Sequence, residues 1–230
     1  MTTFPEPRLT RGGLILMDPR SGRLLRMIVF QYNPDTVTRT LNPQQIGQEA
    51  GDRLEALRLK GPPRETIKVE AELDAVDQLE RAVPKPDAPP DTKAQTVAEV
   101  GLSAELAALE TIVYPPSTQL LDNDQMARRG TIEIAPVEAP LTLFVWSRKR
   151  IVPVRLTEFT ITEEAFDTSL NPTRAKLSLG MRVLSVDDLG FAHRGGAIYL
   201  AYQQQKESLA LRSAPGDLAA FGVTAIPGAT

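Results

Sequence analysis

Hydrophobic and polar residues alternate along most of this sequence, and a period of two predicts β-strands. The clearest case is ETIKVEAELDA at residues 65–75, which places Ile67, Val69, Ala71 and Leu73 on one face. The intervening residues are charged, so this strand should have one face in the core and the other in water. Residues 12–34 hold two apolar runs around a turn with proline and glycine, which predicts a β-hairpin.

The longest alternating segment covers residues 150–184 and predicts a second, longer hairpin. Its apolar register slips between Leu156 and Phe159, which predicts a bulge or a bend in the first arm. A connection of about ten residues, ending in Asn171-Pro172, joins the two arms. Alternation gives each arm two different faces. The apolar face carries Phe159, Ile161, Ala175, Leu177, Leu179, Met181 and Val183, and the polar face carries Thr160, Thr162, Arg174, Lys176, Ser178, Gly180 and Arg182.

The two faces of this hairpin leave two interpretations open. It is either an ordinary hairpin at the edge of a monomeric sandwich, or one of several hairpins from different copies that join edge to edge. In the second case the copies form a closed ring that is apolar outside and polar within, as barrels do to remove their edges. Periodicity alone does not decide between them.

Helical spacing of apolar residues occurs in two segments. In the first, Leu102, Leu106, Leu109 and Val113 define a central helix, with Ser103 near its N-cap and Pro115-Pro116 as its stop. In the second, near the C-terminus, the apolar stripe is thin and predicts a helix that lies on a neighbour's surface rather than in a core. That partner-facing stripe consists of Ile198, Tyr202, Gln205 and Leu209.

Together these elements predict a mainly β protein, of class β+α. The segment at residues 141–147 is apolar on both faces and should be a strand covered on both sides. We expect a β domain over residues 1–192, with an exposed proline-rich loop at residues 83–93. The C-terminal helix and a tail occupy residues 193–230.

Charge and hydropathy exclude some classes of partner. The formal net charge is −3 and both signs are mixed along the chain, so we expect no nucleic-acid partner and no polybasic membrane patch. No apolar run approaches the roughly 20 residues that span a bilayer, and the first residues lack a hydrophobic signal core. We therefore expect synthesis in the cytoplasm and no membrane span.

The chemistry of the side chains predicts no enzyme. The chain has no cysteine and a single histidine, His193, which argues against a zinc site and, without a G-x-S-x-G motif, against a serine triad. Glu163 and Glu164 are adjacent, so in an extended chain they point to opposite faces and do not converge on one substrate. The glycine pairs lack the context of phosphate-binding loops. We expect neither a cofactor nor a metal.

Five segments, in this order, resemble the tube-related proteins of extracellular contractile injection systems, the phage-tail-like particles of the antifeeding-prophage and Photorhabdus virulence cassette kind. They lie across roughly residues 14–190 and read IVFQYNPDTVTRTL, KGPPRETIKVEAELDAVDQLE, LAALETIVYPP, PLTLFVW and RIVPVRLTEFTITEEAFDTSLNPTRAKLSLGMRVLSVDDL. The resemblance implies a phage tail-tube fold, a small β-sandwich or barrel with one packed helix and a C-terminal helix. It also implies a hexameric ring in which long hairpins form an inner barrel around a lumen.

Within that family, the sequence is similar to the tube-initiating adaptor of the baseplate, which sits between the trimeric spike hub and the repeating tube. Many such adaptors carry a LysM module after the C-terminal helix, whereas here a short tail follows Arg212. The resemblance implies that the lumen hairpin has lining residues and residues that pack outward in the ring. The lining residues are Thr160, Thr162, Arg174, Lys176, Ser178 and Arg182, and the packing residues are Phe159, Ile161, Leu177, Leu179 and Met181.

The partners implied are other copies in the hexameric ring, the spike hub protein and the inner tube protein, with sheath or other baseplate proteins as further candidates. The protein would then belong to an assembled injection particle. Two alternatives stay open. The protein is a main inner-tube subunit of the same particle, or, in a different class, it is a soluble β-sandwich that binds a ligand.

Overall fold

The computed structural model describes residues 9–44, 58–81, 92–130, 139–214 and 216–226. Its centre is one sheet of seven antiparallel strands. The strands are β1 (Gly13–Met17), β2 (Leu24–Val29), β3 (Val37–Asn42), β4 (Arg64–Asp74), β5 (Leu141–Ser147), β6 (Arg150–Phe166) and β7 (Pro172–Val183). Their order across the sheet is β2-β1-β5-β6-β7-β4-β3. The predicted mainly β class is therefore confirmed.

Several helices accompany the sheet. They are α1 (Ala75–Arg81), α2 (Thr92–Val100), α3 (Ser103–Glu110), α4 (Ser117–Arg128), α5 (Val186–Leu189) and α6 (Arg194–Ala210), with a 3₁₀ helix at Leu218–Phe221. The expectation of one packed helix beside the C-terminal one was therefore too simple. Most of the proline-rich segment at 83–93 lies outside the described residues, and its last two residues begin α2. No helix in the described ranges is long and apolar enough to cross a membrane.

The first predicted hairpin is confirmed as β1 and β2. Asp18 organises its turn, because one carboxylate oxygen accepts hydrogen bonds from the backbone N–H of Arg20 at 3.1 Å and of Ser21 at 2.6 Å. Gly22 completes the turn with a φ of 72°, a left-handed conformation that glycine adopts without strain. The two strands then pair from Gly13 to Met17.

The long hairpin is confirmed as β6 and β7, together with the predicted slip in its first arm. Leu156 pairs with Met181 and Glu158 pairs with Gly180, so Thr157 is an extra residue without a cross-strand partner. This is a β-bulge. It bends the strand, and beyond it the odd-numbered residues instead of the even-numbered ones face the core. The bulge explains why apolar residues occupy even positions before it and odd positions after it.

The connection between the arms is shorter than predicted, because β6 continues as far as Phe166 and leaves only residues 167–171 to turn. Backbone ladder bonds form whether the side chains are polar or apolar, so the loss of alternation near the tip did not end the strand. Asp167 closes the turn by accepting hydrogen bonds from the N–H groups of Ser169 at 2.7 Å and Asn171 at 2.9 Å.

One core lies against one face of the sheet, which we call the inner face. Buried side chains come from strands across the sheet, such as Leu14 on β1 and Ile67 on β4, and from helix α3. The inner residues of β7 are almost fully buried, and they are Ala175, Leu177, Leu179, Met181 and Val183. Phe159 and Ile161 of β6 are partly buried and pack against the same core. The apolar face predicted for the hairpin is therefore the inner face.

Helix α3 is shorter than its sequence pattern predicts. Its apolar side packs into the core through Leu102, Leu106 and Leu109, as expected. It ends at Glu110, and Val113 is left exposed. The β-branched run from Thr111 to Val113 disfavours helix, which accounts for the early end. The N-cap is Leu102, directly before Ser103, and no side chain caps the helix.

Candidate functional site

The outer face of the central strands carries the candidate site. We call it the polar face, and its members lie on β4, β7 and the part of β6 after the bulge. Strand pairing arranges them in rows across the three strands, for example Glu72, Lys176 and Thr162, then Glu70, Ser178 and Thr160. The polar face comprises Lys68, Glu70, Glu72, Asp74, Glu158, Thr160, Thr162, Glu164, Arg174, Lys176, Ser178, Gly180 and Arg182.

The basic residues of the polar face are paired with carboxylates. Lys176 Nζ lies 2.8 Å from Glu164 Oε1, and Arg174 Nη2 lies 3.0 Å from Asp74 Oδ2. Arg182 forms an ion pair with Asp188, which follows β7 in helix α5. The three predicted lining cations are therefore not free charges. They belong to a surface on which both signs alternate.

Gly180 leaves room for an ion pair to cross strand β7. It lies between Lys68 on β4 and Glu158 on β6 in the ladder, and Lys68 Nζ reaches Glu158 Oε2 at 3.3 Å. A Cβ at Gly180 would lie 2.9 Å from the Cβ of Glu158, which is closer than side chains approach one another. Because glycine has no side chain, Lys68 of β4 and Glu158 of β6 contact each other across strand β7.

The pairings shift the pKa values of Asp74, Arg174 and Lys176. Burial alone raises the pKa of Asp74, but hydrogen bonds from Arg174 and from the backbone N–H groups of Asp77 and Val76 outweigh it and hold the pKa below its ordinary value. The hydrogen bond from Lys176 to Glu164 raises the pKa of the lysine. These groups are therefore charged at neutral pH, and the polar face keeps its alternating pattern there.

A cleft of about 650 Å³ lies between the polar face and the loop at residues 32–36. The side-chain amide of Gln31 holds the start of this loop by pairing with the backbone of Asp74, donating at 2.9 Å and accepting at 3.0 Å. The cleft is lined by hydroxyl, carboxylate and ammonium groups, among them Thr160, Glu70 and Lys176. Such a lining binds through hydrogen bonds and charge. Within the described ranges no three His, Cys, Asp or Glu residues come close enough to hold a metal ion.

Over its far half, strand β6 has one edge that no strand among the described residues covers. On one side it pairs with β7 along the length of the hairpin. On the other side β5 pairs with it only from Arg150 to Val154. From Arg155 to Phe166, no strand of the described chain pairs with that edge. Its outward backbone N–H and C=O groups are thus a template for another strand.

Sequence reasoning missed one buried polar cluster, which joins helix α6 to the sheet. Glu65 is only 3% exposed and lies 2.6 Å from Arg39 Nε of β3. Two residues of α6 also contact this carboxylate. Lys206 Nζ lies 3.7 Å from Glu65 Oε2, and the Tyr202 hydroxyl lies 3.5 Å from Glu65 Oε1. The signal was present in the period of two, because Glu65 shares a face with Ile67, and a carboxylate on a buried face needs partners.

The predicted partner-facing stripe on α6 is corrected by this contact. Tyr202 is buried against its own chain, and so is Tyr199, which the prediction omitted. Ile198 and Gln205 are half-buried, and only Leu209 counts as exposed. Gly196 allows the close approach, since a Cβ there would lie 2.0 Å from the carbonyl oxygen of Gly190. The helix therefore packs against its own chain, and the packed face is rotated slightly around the helix axis from the predicted stripe.

The remaining candidates from the sequence lie on the surface or in capping positions. His193 is the N-cap of α6, and its Nδ1 accepts a hydrogen bond from the N–H of Gly195 at 3.0 Å. Glu163 and Glu164 are exposed near the tip of the hairpin. No protein-family model matches this chain, and no curated protein matches it.

Proposed function

We propose that the protein is a structural subunit that assembles edge to edge with copies of itself into a ring. The observation that carries this proposal is the edge of β6 between Arg155 and Phe166, which no strand in the described ranges covers and which borders a largely exposed polar face. Long exposed edges are a liability for a monomer, and proteins usually shorten, cover or charge them. An edge of this length is better accounted for by a neighbouring strand in an assembly.

The chemistry of the polar face supports a water-filled lumen. Its basic groups are already matched by carboxylates within the same chain, such as Lys176 by Glu164. A lining of this kind stays solvated and has no large electrostatic potential of one sign. A polypeptide that passes through the lumen would therefore not be bound tightly by charge. The inner face, with Leu177, Leu179 and Met181, anchors the hairpin to the body of its own subunit.

In its finer form, the proposal assigns the ring to a contractile injection particle. The subunit has a tail-tube-like sandwich or barrel, forms a hexamer and initiates the inner tube on the spike hub at the baseplate. The ordered resemblance of five segments supports this form, together with the long hairpin and the C-terminal helix that the structure contains. In the assembled ring, Thr160, Thr162, Arg174, Lys176, Ser178 and Arg182 line the lumen.

Deletion of the gene tests the proposal. Electron microscopy of particles from the deletion strain should show no sheathed, contractile particles, and the intact gene should restore them. Normal particles in the deletion strain would contradict the proposed role. The stoichiometry of purified particles separates an initiator, present at about one ring's worth, from a main tube subunit repeated along the particle.

The cleft beside the polar face favours a second candidate, a ligand-binding protein. Its volume of about 650 Å³ lies in the range of small-molecule sites. If particles are normal without the protein, the substitution Lys176→Ala should weaken binding of a small anionic ligand to the cleft. Isothermal titration against a panel of small carboxylates and phosphates measures this.

A further inference from the structure

The C-terminal tail holds apolar side chains on the surface in an ordered turn. Residues Leu218–Phe221 form the 3₁₀ helix, which Asp217 caps by accepting a hydrogen bond from the N–H of Ala219 at 3.0 Å. Gly222 closes it with a φ of 69°. Phe221 is 79% exposed, and Leu218, Val223 and Ile226 are also exposed. A preformed turn with an uncovered aromatic side chain is typical of a segment that binds a partner surface.

An apolar groove of about 370 Å³ lies elsewhere on the chain, at the end of the sheet where α6 begins. Hydrophobic residues from α5, the segment after α3, strands β5 and β6 and the residue after β7 line it. They include Ile112, Val113, Leu141, Leu156, Leu184 and Leu189. Val113 is 50% exposed, and Leu156 and Leu189 are half-buried, so part of the apolar surface of this groove is open to water.

Charge at the groove matches charge on the tail. Arg155 also lines the groove, and in the ladder it lies opposite Arg182, whose own guanidinium pairs with Asp188. No acidic side chain in the ranges that the structure describes pairs with Arg155. Asp217 is exposed, and one of its carboxylate oxygens makes the helix cap. The other oxygen is available to a cation.

We propose that the tail of one copy, residues 217–226, binds the apolar groove of a second copy. Phe221 and its apolar neighbours fill the groove, and Asp217 meets Arg155. The proposal goes beyond the assembly through the β6 edge, because it adds a contact made by the tail, and the groove shares only Arg155 and Leu156 with that edge. It also holds whether or not the assembly belongs to an injection particle.

The reach of the tail favours a second copy over the tail's own groove. Helix α6 has 17 residues and is therefore about 25 Å long. Its first end borders the groove, where His193 lines it, and the tail leaves from the other end. The segment from Leu211 to Leu218 spans at most about 25 Å when fully extended. It would have to run straight back along α6 to reach its own groove, whereas a neighbouring copy imposes no such requirement.

Disulfide trapping between two single-cysteine variants tests this contact, and it is clean because the natural chain contains no cysteine. Full-length Ala220→Cys, which keeps the neighbouring Phe221 in place, carries one affinity tag and is mixed with full-length Val113→Cys carrying another, and the mixture is oxidised. Docking should enrich the mixed dimer about tenfold over a matched control, because the bound tail raises the local thiol concentration. The control is Val76→Cys, since Val76 of α1 is 55% exposed and does not line the groove.

The charge contact has its own rescue experiment. In the same trapping assay, Arg155→Glu in the groove copy should lower the yield of mixed dimer, and Asp217→Lys in the tail copy should restore it. Equal trapping with Val113→Cys and Val76→Cys would overturn the proposal. If a disulfide forms efficiently only when one chain carries both cysteines, the tail binds the groove of its own copy, and the proposal is overturned. Circular dichroism of each variant confirms that the compared proteins are folded.

Discussion

The two faces of strand β7 differ in what they contribute to the molecule. Its inner residues, such as Leu177 and Leu179, are buried in the core that joins the sheet to α3. Its outer residues, such as Lys176, contact charged partners on neighbouring strands and remain in water. Residues one position apart therefore differ in role. The inner face determines whether the chain folds, and the outer face is free to meet the needs of an assembly.

Glu65 is the exception that clarifies this comparison. It is a carboxylate on the inner face of β4, and it has three polar partners, Arg39, Tyr202 and Lys206. On the outer face, Glu158 has one cation, Lys68, at 3.3 Å, and both side chains are largely exposed. Since a buried charge needs several partners and an exposed one is solvated by water, the same residue type should differ greatly in its effect on stability.

The largest effect is expected from a charge on the inner face of the hairpin. Leu179 is 0% exposed, so Leu179→Asp buries a carboxylate without a partner and should reduce the free energy of unfolding by about 4 kcal/mol or more. Thermal unfolding followed by circular dichroism measures this. The control is Thr162→Asp on the outer face, opposite Lys176, which should change little. A folded Leu179→Asp protein with an unchanged melting temperature would show that the inner face is wrongly assigned.

The next effect is expected at Glu65. Replacing it with alanine leaves Arg39 and Lys206 without their carboxylate, and we expect a loss of about 2–3 kcal/mol in the free energy of unfolding, at the lower end for buried pairs because Arg39 is partly exposed. Urea denaturation of Glu65→Ala and of the matched variant Glu158→Ala gives the comparison. The exposed pair should contribute less than about 1 kcal/mol. Equal losses for the two variants would remove the distinction between the faces.

A smaller, pH-dependent effect is expected at Asp74, a partly buried carboxylate of the polar face. Its folded pKa is lowered, so the unfolded chain binds the proton more readily. The stabilisation is fully present above the unfolded pKa of about 3.9 and is lost as pH falls through the folded pKa. Asp74→Asn should therefore melt below the natural protein at pH 7, and the difference should shrink in acid. A difference that stays constant down to about pH 2 would contradict this assignment.

The smallest effect is expected on the polar face itself. Lys176→Met removes the ion pair with Glu164, but the lysine is exposed and loses side-chain entropy when it holds that pair. Differential scanning calorimetry should show no measurable change in melting temperature. If the variant melts as low as Glu65→Ala, the polar face has a structural role in the single chain, and its residues are not free for a lumen.

The strands could be predicted from sequence because their signal is local. Alternation located β4 and both hairpins, and the slip between Leu156 and Phe159 located the bulge. Burial of Leu177 and its neighbours followed from the same pattern. These features depend on residues close together in the chain, and a period of two reports them directly.

The features that escaped prediction depend on distant residues or on weak local preferences. The partners of Glu65 come from positions 39, 202 and 206, and no periodicity connects them. Packing of α6 buries Tyr199 and leaves Leu209 exposed, because the surface that receives the helix is built by distant strands. The short connection in the long hairpin depends on backbone pairing, which the side-chain pattern does not record.

The extra residue at the Thr157 bulge determines the direction in which the far half of the long hairpin projects. Because Thr157 is the extra residue, its deletion would leave Leu156 and Phe159 inward and Glu158 outward, and the ladder would become regular as far as Glu163. Composition, charge and burial pattern would be nearly unchanged, yet the far half of the hairpin would project in a different direction. In a closed ring, where every subunit must meet its neighbour at the same angle, a single inserted residue thus sets the curvature of the whole circle.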